Sequence, residues 1–324
     1  MQLPTRDDVA AAAVRLRNQV VRTPTIRNPL LDRLTGGTVL LKAECLQRTG
    51  SFKLRGATNA ALLLDAGQRA AGVVTHSSGN HGQALACAAA AVGARATIFM
   101  PADAPQVKVE ATRRWGAEII PFDRATADRA GLAAAFAERT GATLIPPFDH
   151  PHVIAGQGTL AMELAEDAAA MGLPMDSLLV CTGGGGMVAG CALATELVSP
   201  GTQVFAVEPA GADDTVRSLA SGRRETNPPG GSTLCDALLS ATPGELTFAI
   251  NGPRLAGGVA VDDAAVLAAI RFAFTHLKLV VEPGGAVCLA AILSGAFEAK
   301  GRTVGLVLSG GNVDEAVFAR ALAA

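Results

Sequence analysis

Short apolar runs alternate with longer amphipathic segments along the whole chain. We predict buried strands at residues 39–43, 72–75, 96–100, 117–121, 143–145, 177–181, 203–207 and 304–308. Helices are predicted between these runs, for example at residues 52–64 and 82–92. Strands that alternate with helices are typical of a parallel sheet with helices on both faces. Such sheets bind ligands beyond the carboxyl ends of their strands.

The composition provides enough apolar residues for a large core and argues against nucleic acid as a partner. The chain has 324 residues, of which 49% are hydrophobic and 17% are charged. This is enough apolar material for two lobes around a shared cleft. The formal charge is only −2, and the lysines and arginines are scattered rather than clustered. No basic face that would neutralise many phosphates is therefore expected.

The sequence predicts a protein of the reducing cytoplasm. Residues 1–20 alternate apolar with charged side chains and lack the apolar core of a signal peptide. The alanine run at residues 88–91 is too short to span a bilayer. The six cysteines lie in apolar runs without CxxC spacing, which is typical of buried thiols rather than of disulfides or zinc ligands.

Residues 42–57 contain a lysine in a helix-start context. Thr49, Gly50 and Ser51 indicate a turn and a helix start, so that Lys53 is predicted in the first helical turn. The helix dipole disfavours a cation there, and a lysine amine acts as a nucleophile only when it is neutral. A lone lysine of this kind is nevertheless more often a solvated surface residue.

Residues 75–84 read as a strand end, a loop of hydroxyl and amide side chains, and a helix. The first backbone N–H groups of such a helix can hold an anion such as a carboxylate. A plain helix-capping loop explains these residues equally well. The histidines nearby lack the cysteine or carboxylate neighbours that would complete a metal site.

Four consecutive glycines at residues 183–186 separate a predicted strand from a predicted helix. Glycines let the backbone approach a phosphate closely and surround it with N–H groups. Gly184, Gly186 and Ala189, with Glu208 at the end of the next strand, also nearly match a dinucleotide-binding fingerprint. A nicotinamide site is therefore an alternative for this segment taken alone.

Two further segments carry candidate chemistry. Residues 208–214 offer carboxylates on both sides of a turn, which suits a hard cation, although a solvated acidic loop is the commoner explanation. Residues 306–312 form a buried strand that runs into a glycine turn.

These segments, in this order, resemble those of the fold type II pyridoxal-phosphate (PLP) enzymes, the family of serine and threonine dehydratases, serine racemase and cysteine synthase. The resemblance implies an α/β fold of the tryptophan synthase β type, with two lobes, each a mainly parallel sheet flanked by helices. It implies a large cofactor-binding domain at residues 1–71 and 150–324 and a small mobile domain at residues 72–149. Few residues follow the last predicted strand, so we expect no appended regulatory domain.

The resemblance also implies roles for individual residues. Lys53 would bind PLP as a Schiff base and remove the Cα proton. The cofactor-binding residues, with the Asn80 amide on the ring oxygen, the glycines around the phosphate and the Ser309 hydroxyl on the pyridine nitrogen, would be Phe52, Lys53, Asn80, Gly183, Gly184, Gly185, Gly186, Met187 and Ser309. The substrate-binding residues would be Ser77, Ser78, His81 and Arg129, with Ser78 in a second proton-transfer role. Glu208, the Ala212 carbonyl and Asp214 would bind Mg²⁺ or Ca²⁺.

The activity implied is β-elimination from a 3-hydroxy amino acid such as L-threonine or L-serine, which gives a 2-oxo acid and ammonia. A neutral hydroxyl on the pyridine nitrogen makes the ring a weaker electron sink, which suits elimination. A 3-hydroxyaspartate dehydratase and a serine or aspartate racemase are the alternatives, and a nicotinamide oxidoreductase is a distant one. An extra cationic contact for a side-chain carboxylate would favour hydroxyaspartate. We expect a cytoplasmic homodimer that binds a small amino acid, without nucleic-acid or membrane partners.

Overall fold

A computed structural model of the chain describes residues 2–77, 79–104, 106–123, 127–228 and 232–323. Helices and strands alternate along these residues, as predicted. The strands are β1 (Thr25–Arg27), β2 (Thr38–Ala43), β3 (Val73–His76), β4 (Ala96–Pro101), β5 (Glu118–Phe122), β6 (Thr143–Leu144), β7 (Ser177–Cys181), β8 (Gln203–Pro209), β9 (Gly257–Val261) and β10 (Thr303–Leu308). The helices are α1 (Arg6–Leu16), α2 (Pro29–Thr35), α3 (Lys53–Leu62), α4 (Ala66–Ala71), α5 (Asn80–Ala91), α6 (Gln106–Arg113), α7 (Arg129–Thr140), α8 (Pro151–Ala170), α9 (Gly186–Val198), α10 (Asp214–Ser221), α11 (Glu245–Asn251), α12 (Asp263–Phe272), α13 (Pro283–Leu293) and α14 (Glu315–Ala323). Among the described residues, no helix combines the length and apolar character needed to cross a membrane.

Within the described ranges, the strands form two sheets. The larger sheet has the order β1-β2-β10-β7-β8-β9, with β1 antiparallel to β2 and the other neighbours parallel. The smaller sheet has the order β5-β4-β3-β6 and is parallel throughout. The prediction of mainly parallel sheets flanked by helices is confirmed. Strand β10, the last in the sequence, lies in the middle of the larger sheet between β2 and β7.

Each sheet has its own apolar core. Leu179 and Leu306 are fully buried in the core of the larger sheet, and Leu85 and Ile98 in the core of the smaller one. Helix α3 contributes to the second core although it precedes residue 72. The division into a domain of residues 1–71 and 150–324 and a domain of residues 72–149 remains a prediction.

The start of helix α3 differs from the expectation in one respect. Lys53 is its first residue, as predicted, but the helix is not capped by a hydroxyl side chain, because Phe52 occupies the N-cap position. Ser51 instead forms an isolated antiparallel β-bridge with Gly310. Ser51 is paired with the segment after β10, and the helix begins one residue later than a cap at Ser51 would place it. Helix α5 also begins two residues earlier than expected, at Asn80 rather than Gly82.

A buried cluster of charges anchors helix α3. Arg55, which is completely buried, donates two hydrogen bonds to Glu44 at 2.8 and 2.9 Å and two to Glu163 at 2.7 and 2.8 Å. Lys42 of β2, also completely buried, donates to Glu163 at 2.7 Å and to the Thr23 carbonyl at 2.7 Å. The cluster therefore connects α3 to strand β2 and to helix α8.

Replacing Arg55 tests this anchor. In Arg55→Leu the buried Glu44 carboxylate loses its cation, and an uncompensated buried charge costs about 3–5 kcal/mol. We expect a correspondingly lower free energy of unfolding in urea. Arg22→Leu is the matched control, because Arg22 pairs with Glu166 and Asp167 at the surface and such pairs contribute about 1 kcal/mol or less. Equal losses in the two variants would contradict the assignment of Arg55 as the anchor.

Candidate active site

A cavity of about 450 Å³ lies between the carboxyl ends of the two sheets. This is the place where parallel sheets bind ligands. Of the residues predicted from the sequence, those that line it are Phe52, Lys53, Ser77, Asn80, His81, Arg129, Gly183, Gly184, Gly185, Gly186, Met187 and Ser309. Ser78 lies outside the described residues. Segments that are more than 200 residues apart in the sequence therefore meet in one site.

The amine of Lys53 is held in a position that favours its neutral form. Burial lowers its pKa to about 8, and the Glu282 carboxylate opposes this shift. The Nζ atom donates a hydrogen bond to the Pro147 carbonyl at 2.7 Å and lies 5.2 Å from the centre of the Phe52 ring. At neutral pH a usable fraction of the amine is therefore unprotonated, as attack on a carbonyl carbon requires.

Backbone hydrogen bonds join the Lys53 segment to the Ser309 segment. The Phe52 N–H donates to the Ser309 carbonyl at 3.0 Å, and the Gly311 N–H donates to the Gly50 carbonyl at 2.8 Å. Ser309 follows strand β10, is almost fully buried, and lies with its hydroxyl beside the Cys181 thiol. The lysine and the serine are therefore fixed relative to each other by main-chain contacts.

The glycine loop between β7 and α9 turns its carbonyl groups away from the cavity. The Gly184 carbonyl accepts from the Thr247 hydroxyl at 2.7 Å, and the Gly185 carbonyl accepts from the Asn251 amide at 3.3 Å. Gly185 has φ +89°, a conformation in which other residues are strained. A Cβ at Gly184 would lie 2.5 Å from the Phe148 ring. The loop thus requires glycine and leaves the first N–H groups of α9 for an anion.

Asn80 and His81 begin helix α5 at the cavity wall. The Asn80 amide donates to the Glu282 carboxylate at 2.6 Å and accepts from the Asn312 amide at 2.7 Å. The His81 Nε2 atom lies 2.9 Å from the Ile145 carbonyl, and burial lowers the His81 pKa to about 3. A neutral His81 therefore donates from Nε2 to that carbonyl, which leaves Nδ1 as an acceptor.

Cationic side chains line the cavity on the side of the smaller sheet. Arg129 is the first residue of α7. Burial and then the positive charge of Arg129 lower the pKa of the neighbouring His76 to about 4, so His76 is neutral at pH 7. Lys108 of α6 also reaches the cavity, where it forms an ion pair with Asp236 at 2.9 Å.

Sequence reasoning missed Glu282, Lys108 and Asp236. Glu282 offered a signal, because it is a single carboxylate between the apolar run at residues 279–281 and Pro283. Lys108 and Asp236 offered none, since each lies in an ordinary polar segment and they become neighbours only through the fold.

The acidic loop lies outside the cavity lining. The Glu208 carboxylate accepts backbone N–H groups of Thr215 at 3.2 Å and Val216 at 2.8 Å. Asp214 accepts from Asn227 at 2.6 Å through Oδ1, and its buried Oδ2 has no partner among the described residues. Burial raises the pKa of Glu208 to about 8 and that of Asp214 to about 6.

A metal centre at this loop is not shown. Within the parts of the chain that the structure describes, no three His, Cys, Asp or Glu side chains lie close enough to form one. Glu208 and Asp214 supply two carboxylates, and Ala212 is buried in the turn between them.

Comparison with known proteins identifies the family. The model of the pyridoxal-phosphate dependent enzyme family matches residues 16–310. The chain belongs to this family. The L-threo-3-hydroxyaspartate ammonia-lyase of a Pseudomonas species is 44% identical over 323 residues, which are 99% of each chain. The serine racemase of Schizosaccharomyces pombe is 40% identical over 313 residues, which are 96% of this chain and 95% of that one.

The solved structures agree with the family. The crystal structure of serine racemase from Dictyostelium discoideum superimposes with a TM-score of 0.89 at 38% identity, covering 96% of this chain and 99% of that one. The crystal structure of a T.th. threonine deaminase superimposes with a TM-score of 0.90 at 44% identity, with the same coverage of the two chains. The predicted fold type II architecture and the prediction of a PLP-dependent lyase are therefore confirmed. The nicotinamide alternative is wrong, because the glycine loop belongs to a PLP enzyme rather than to a dinucleotide site.

The cavity makes a direct prediction about cofactor attachment. We expect the purified protein to absorb visible light, because PLP joined to Lys53 Nζ as a protonated Schiff base, with loss of water, would absorb at longer wavelength than the free aldehyde. Lys53→Ala should lose this absorption. Lys108→Ala, which removes the other lysine of the cavity, should keep it. In the wild type, borohydride should abolish the absorption. A dialysed Lys53→Ala protein that keeps a visible absorption which borohydride then abolishes would contradict the assignment, because its cofactor would be bound to another amine.

Proposed function

We propose that the chain catalyses dehydration and deamination of 3-hydroxy amino acids, with 3-hydroxyaspartate as the preferred substrate. The observation that carries the proposal is the cationic Arg129 on the cavity wall that belongs to the smaller sheet. Lys108 does not add to it, because Asp236 already neutralises that charge. Serine and threonine have no side-chain carboxylate for Arg129 to bind. The similarity to an L-threo-3-hydroxyaspartate ammonia-lyase supports the same choice.

The residues present fit the cofactor. The glycine loop forms a cradle that a Cβ atom would fill, and it offers the N–H groups of a helix start to a phosphate. The Asn80 amide and the Ser309 hydroxyl line the same cavity as the Lys53 amine. PLP bound there would supply an electron sink for the charge left when the Cα–H bond breaks.

Residues of the chain itself would bind the substrate and transfer its protons. Lys53 Nζ, which is neutral in a fraction of molecules at pH 7, accepts the Cα proton, and the Pro147 carbonyl orients it. Ser309 offers a neutral hydroxyl to the pyridine nitrogen and therefore holds a proton there less firmly than a carboxylate would. Ser77 would hold the α-carboxylate through its hydroxyl and His81 through its backbone N–H at the start of α5, because the neutral His81 ring has only an acceptor left at Nδ1. Arg129 would hold the β-carboxylate. Ser78 remains the proposed second proton-transfer residue, and it would matter for a racemase.

The substrate preference can be tested with a matched pair of arginine variants. Loss of a charged hydrogen bond to the β-carboxylate costs about 1.5–3 kcal/mol, or roughly 10- to 100-fold in kcat/KM. We expect this loss in Arg129→Met with 3-hydroxyaspartate, and little change with L-serine. Arg139→Met is the control, because Arg139 lies in the last turn of the same helix, against Phe136.

The assay uses all stereoisomers of 3-hydroxyaspartate together with L-serine and L-threonine, and it measures keto acid, ammonia and racemised product. Wild-type turnover of serine or threonine in preference to every hydroxyaspartate isomer would refute the preference and leave the dehydratase. Racemised product without keto acid would favour the racemase.

We also propose that the acidic loop binds Mg²⁺ or Ca²⁺ through Glu208, Asp214 and the Ala212 carbonyl. The support is the partnerless Asp214 Oδ2 among the described residues and the pKa of both carboxyl groups, which burial raises above its usual range. A cation would remove the cost of ionising them. Asn227 donates to Asp214 and to the Ser240 carbonyl at 2.8 Å, so the loop supports a segment that lines the cavity.

The metal proposal predicts that the melting temperature Tm of the ion-free protein falls with rising pH and that added metal ion restores it at high pH. A carboxyl whose pKa is raised by folding stabilises the folded state while it is protonated, and this stability is lost as pH rises through the folded pKa. After EDTA treatment, Tm should therefore fall as pH rises from about 4, where the unfolded carboxyls titrate. The Asp214 contribution is lost by about pH 6 and the Glu208 contribution by about pH 8. Added Mg²⁺ or Ca²⁺ should raise Tm at pH 8, because it binds only the folded state.

Single-residue variants test whether the metal ion binds at the acidic loop or elsewhere in the protein. Glu208→Gln and Asp214→Asn should lose the response to the metal. Asp213→Asn should keep it, because Asp213 pairs with Arg217 at 2.8 Å. A full metal response in Asp214→Asn would show that the ion binds elsewhere.

We also propose that the protein is a cytoplasmic homodimer with two domains. A homodimer is supported by the exposed Phe274 and Val280. A reducing, cytoplasmic location is supported by six cysteines that form no disulfide. The division into a large domain and a small mobile domain of residues 72–149 is supported by the separate cores of the two sheets.

A further inference from the structure

Glu282 is a buried carboxylate in the wall of the cavity. It occupies the N-cap position of helix α13, but its side chain makes no capping hydrogen bond to that helix. The side chain instead turns into the cavity and accepts a hydrogen bond from the Asn80 amide at 2.6 Å. A carboxylate at a helix start ordinarily stabilises its own helix. The Glu282 side chain points away from its own helix, which indicates that the hydrogen bond with Asn80 determines its position.

The Glu282 carboxylate fits at this position only because the neighbouring residue 310 is a glycine. A Cβ atom at Gly310 would lie 2.1 Å from the Glu282 Oε1 atom. The Glu282 N–H also donates to the Gly310 carbonyl at 3.0 Å, which fixes the backbone of residue 282 to the turn after Ser309. The carboxylate is therefore held by the same turn that carries Ser309.

A chain of hydrogen bonds determines which way the Asn80 amide faces. The Asn312 Nδ2 atom donates to the Thr49 carbonyl at 2.9 Å and to Asn80 Oδ1 at 2.7 Å. A backbone carbonyl can only accept, so the Asn312 amide nitrogen must face Thr49, and its second hydrogen faces Asn80. Asn80 therefore presents its oxygen to Asn312 and one N–H to Glu282. Its second N–H remains for the cavity.

We propose that Glu282 is a positioning residue: it fixes the Asn80 amide with one N–H toward the ring oxygen of PLP, and its negative charge supports the protonated form of Lys53 Nζ. The inference rests on the proposed role of Asn80 in binding the cofactor, but not on the identity of the substrate. In the reversed orientation the Asn80 oxygen would face the carboxylate, and both groups would be acceptors without a donor.

The charge of Glu282 changes within the range in which the enzyme would work. Burial raises its pKa to about 7, the Asn80 hydrogen bond lowers it, and repulsion from Asp236 raises it. The other titratable groups that face it are Lys53, Lys108 and Cys45. Above pH 7 the ionised carboxylate attracts the proton of Lys53, and below pH 7 this attraction disappears.

Two substitutions separate the orienting effect from the charge effect. Glu282→Gln keeps an oxygen that can accept from Asn80 and loses the charge, whereas Glu282→Ala loses both. Glu245→Gln, an exposed carboxylate on α11, is the control. The apoproteins are titrated with PLP alone, and the dissociation constant and the pH dependence of the uptake rate are measured. Since no substrate is added, the result is independent of the proposed reaction.

We expect Glu282→Ala to bind PLP about tenfold more weakly, which corresponds to a loss of about 1.4 kcal/mol, and Glu282→Gln to bind within about threefold of wild type. In both variants the pH midpoint of uptake should shift to lower pH, because Lys53 loses its proton more readily without the charge. The control should match wild type in both measurements.

The outcomes that would overturn the inference are distinct. An unchanged pH midpoint in Glu282→Gln would remove the charge effect, and an unchanged dissociation constant in Glu282→Ala would remove the orienting effect. If Glu282→Ala does not fold, Asn80→Ala takes its place. A dissociation constant equal to that of wild type in Asn80→Ala would overturn the orienting effect, because the amide that Glu282 holds would then contribute nothing to cofactor binding. Failure of wild type to turn over hydroxyaspartate would leave all these results standing.

Discussion

Arg55 lies fully buried two residues after Lys53, and the position of the lysine depends on how this charge is neutralised. Glu44 and Glu163 approach it from the end of strand β2 and from helix α8. Paired buried charges of this kind add little net stability compared with apolar packing, but they tolerate only one arrangement, since any shift leaves a charge without its partner. We infer that the cluster adds little net stability but fixes the rotation of α3 about its axis, so that its first residue faces the cavity.

Burial also determines the charge states of the two ionisable groups Lys53 and Glu282 in the cavity. Lys53 and Glu282 are both shifted toward neutrality by burial, to pKa values of about 8 and about 7. Neither group is tied into a close ion pair with the other, so each keeps a proton equilibrium near pH 7. The charges beneath α3 are saturated with partners and are structural. Those in the cavity are only partly compensated, as is usual for groups that have to exchange protons.

Most of the fold and much of the site could be predicted from the sequence, because local signals carry them. Apolar runs identify eight of the ten strands among the described residues and miss only β1 and β9, the two edge strands of the larger sheet. The tetraglycine and the Ser51-Phe52-Lys53 segment are conspicuous without any structure. What could not be predicted depends on contacts between distant residues. The ion pair of Lys108 and Asp236 joins residues 128 positions apart, and neither has an unusual neighbourhood in the sequence. The uncapped start of α3 was missed for the same reason, since the bridge from Ser51 to Gly310 outweighs the local preference of a serine for a helix cap.

The central place of β10 in the larger sheet has a consequence for biosynthesis. Strands β1 and β2 are made early, but β10 separates them from β7, β8 and β9. While the ribosome is still translating the preceding segments, the sheet exists as two unjoined halves with open edges, and the turn that holds the lysine segment is missing. Closing a loop of more than 250 residues carries a large entropic cost, but this cost grows only with the logarithm of loop length. We infer that cofactor binding belongs to the end of synthesis, because a nascent chain that ends before residue 303 lacks Ser309 and the turn that holds the Lys53 segment.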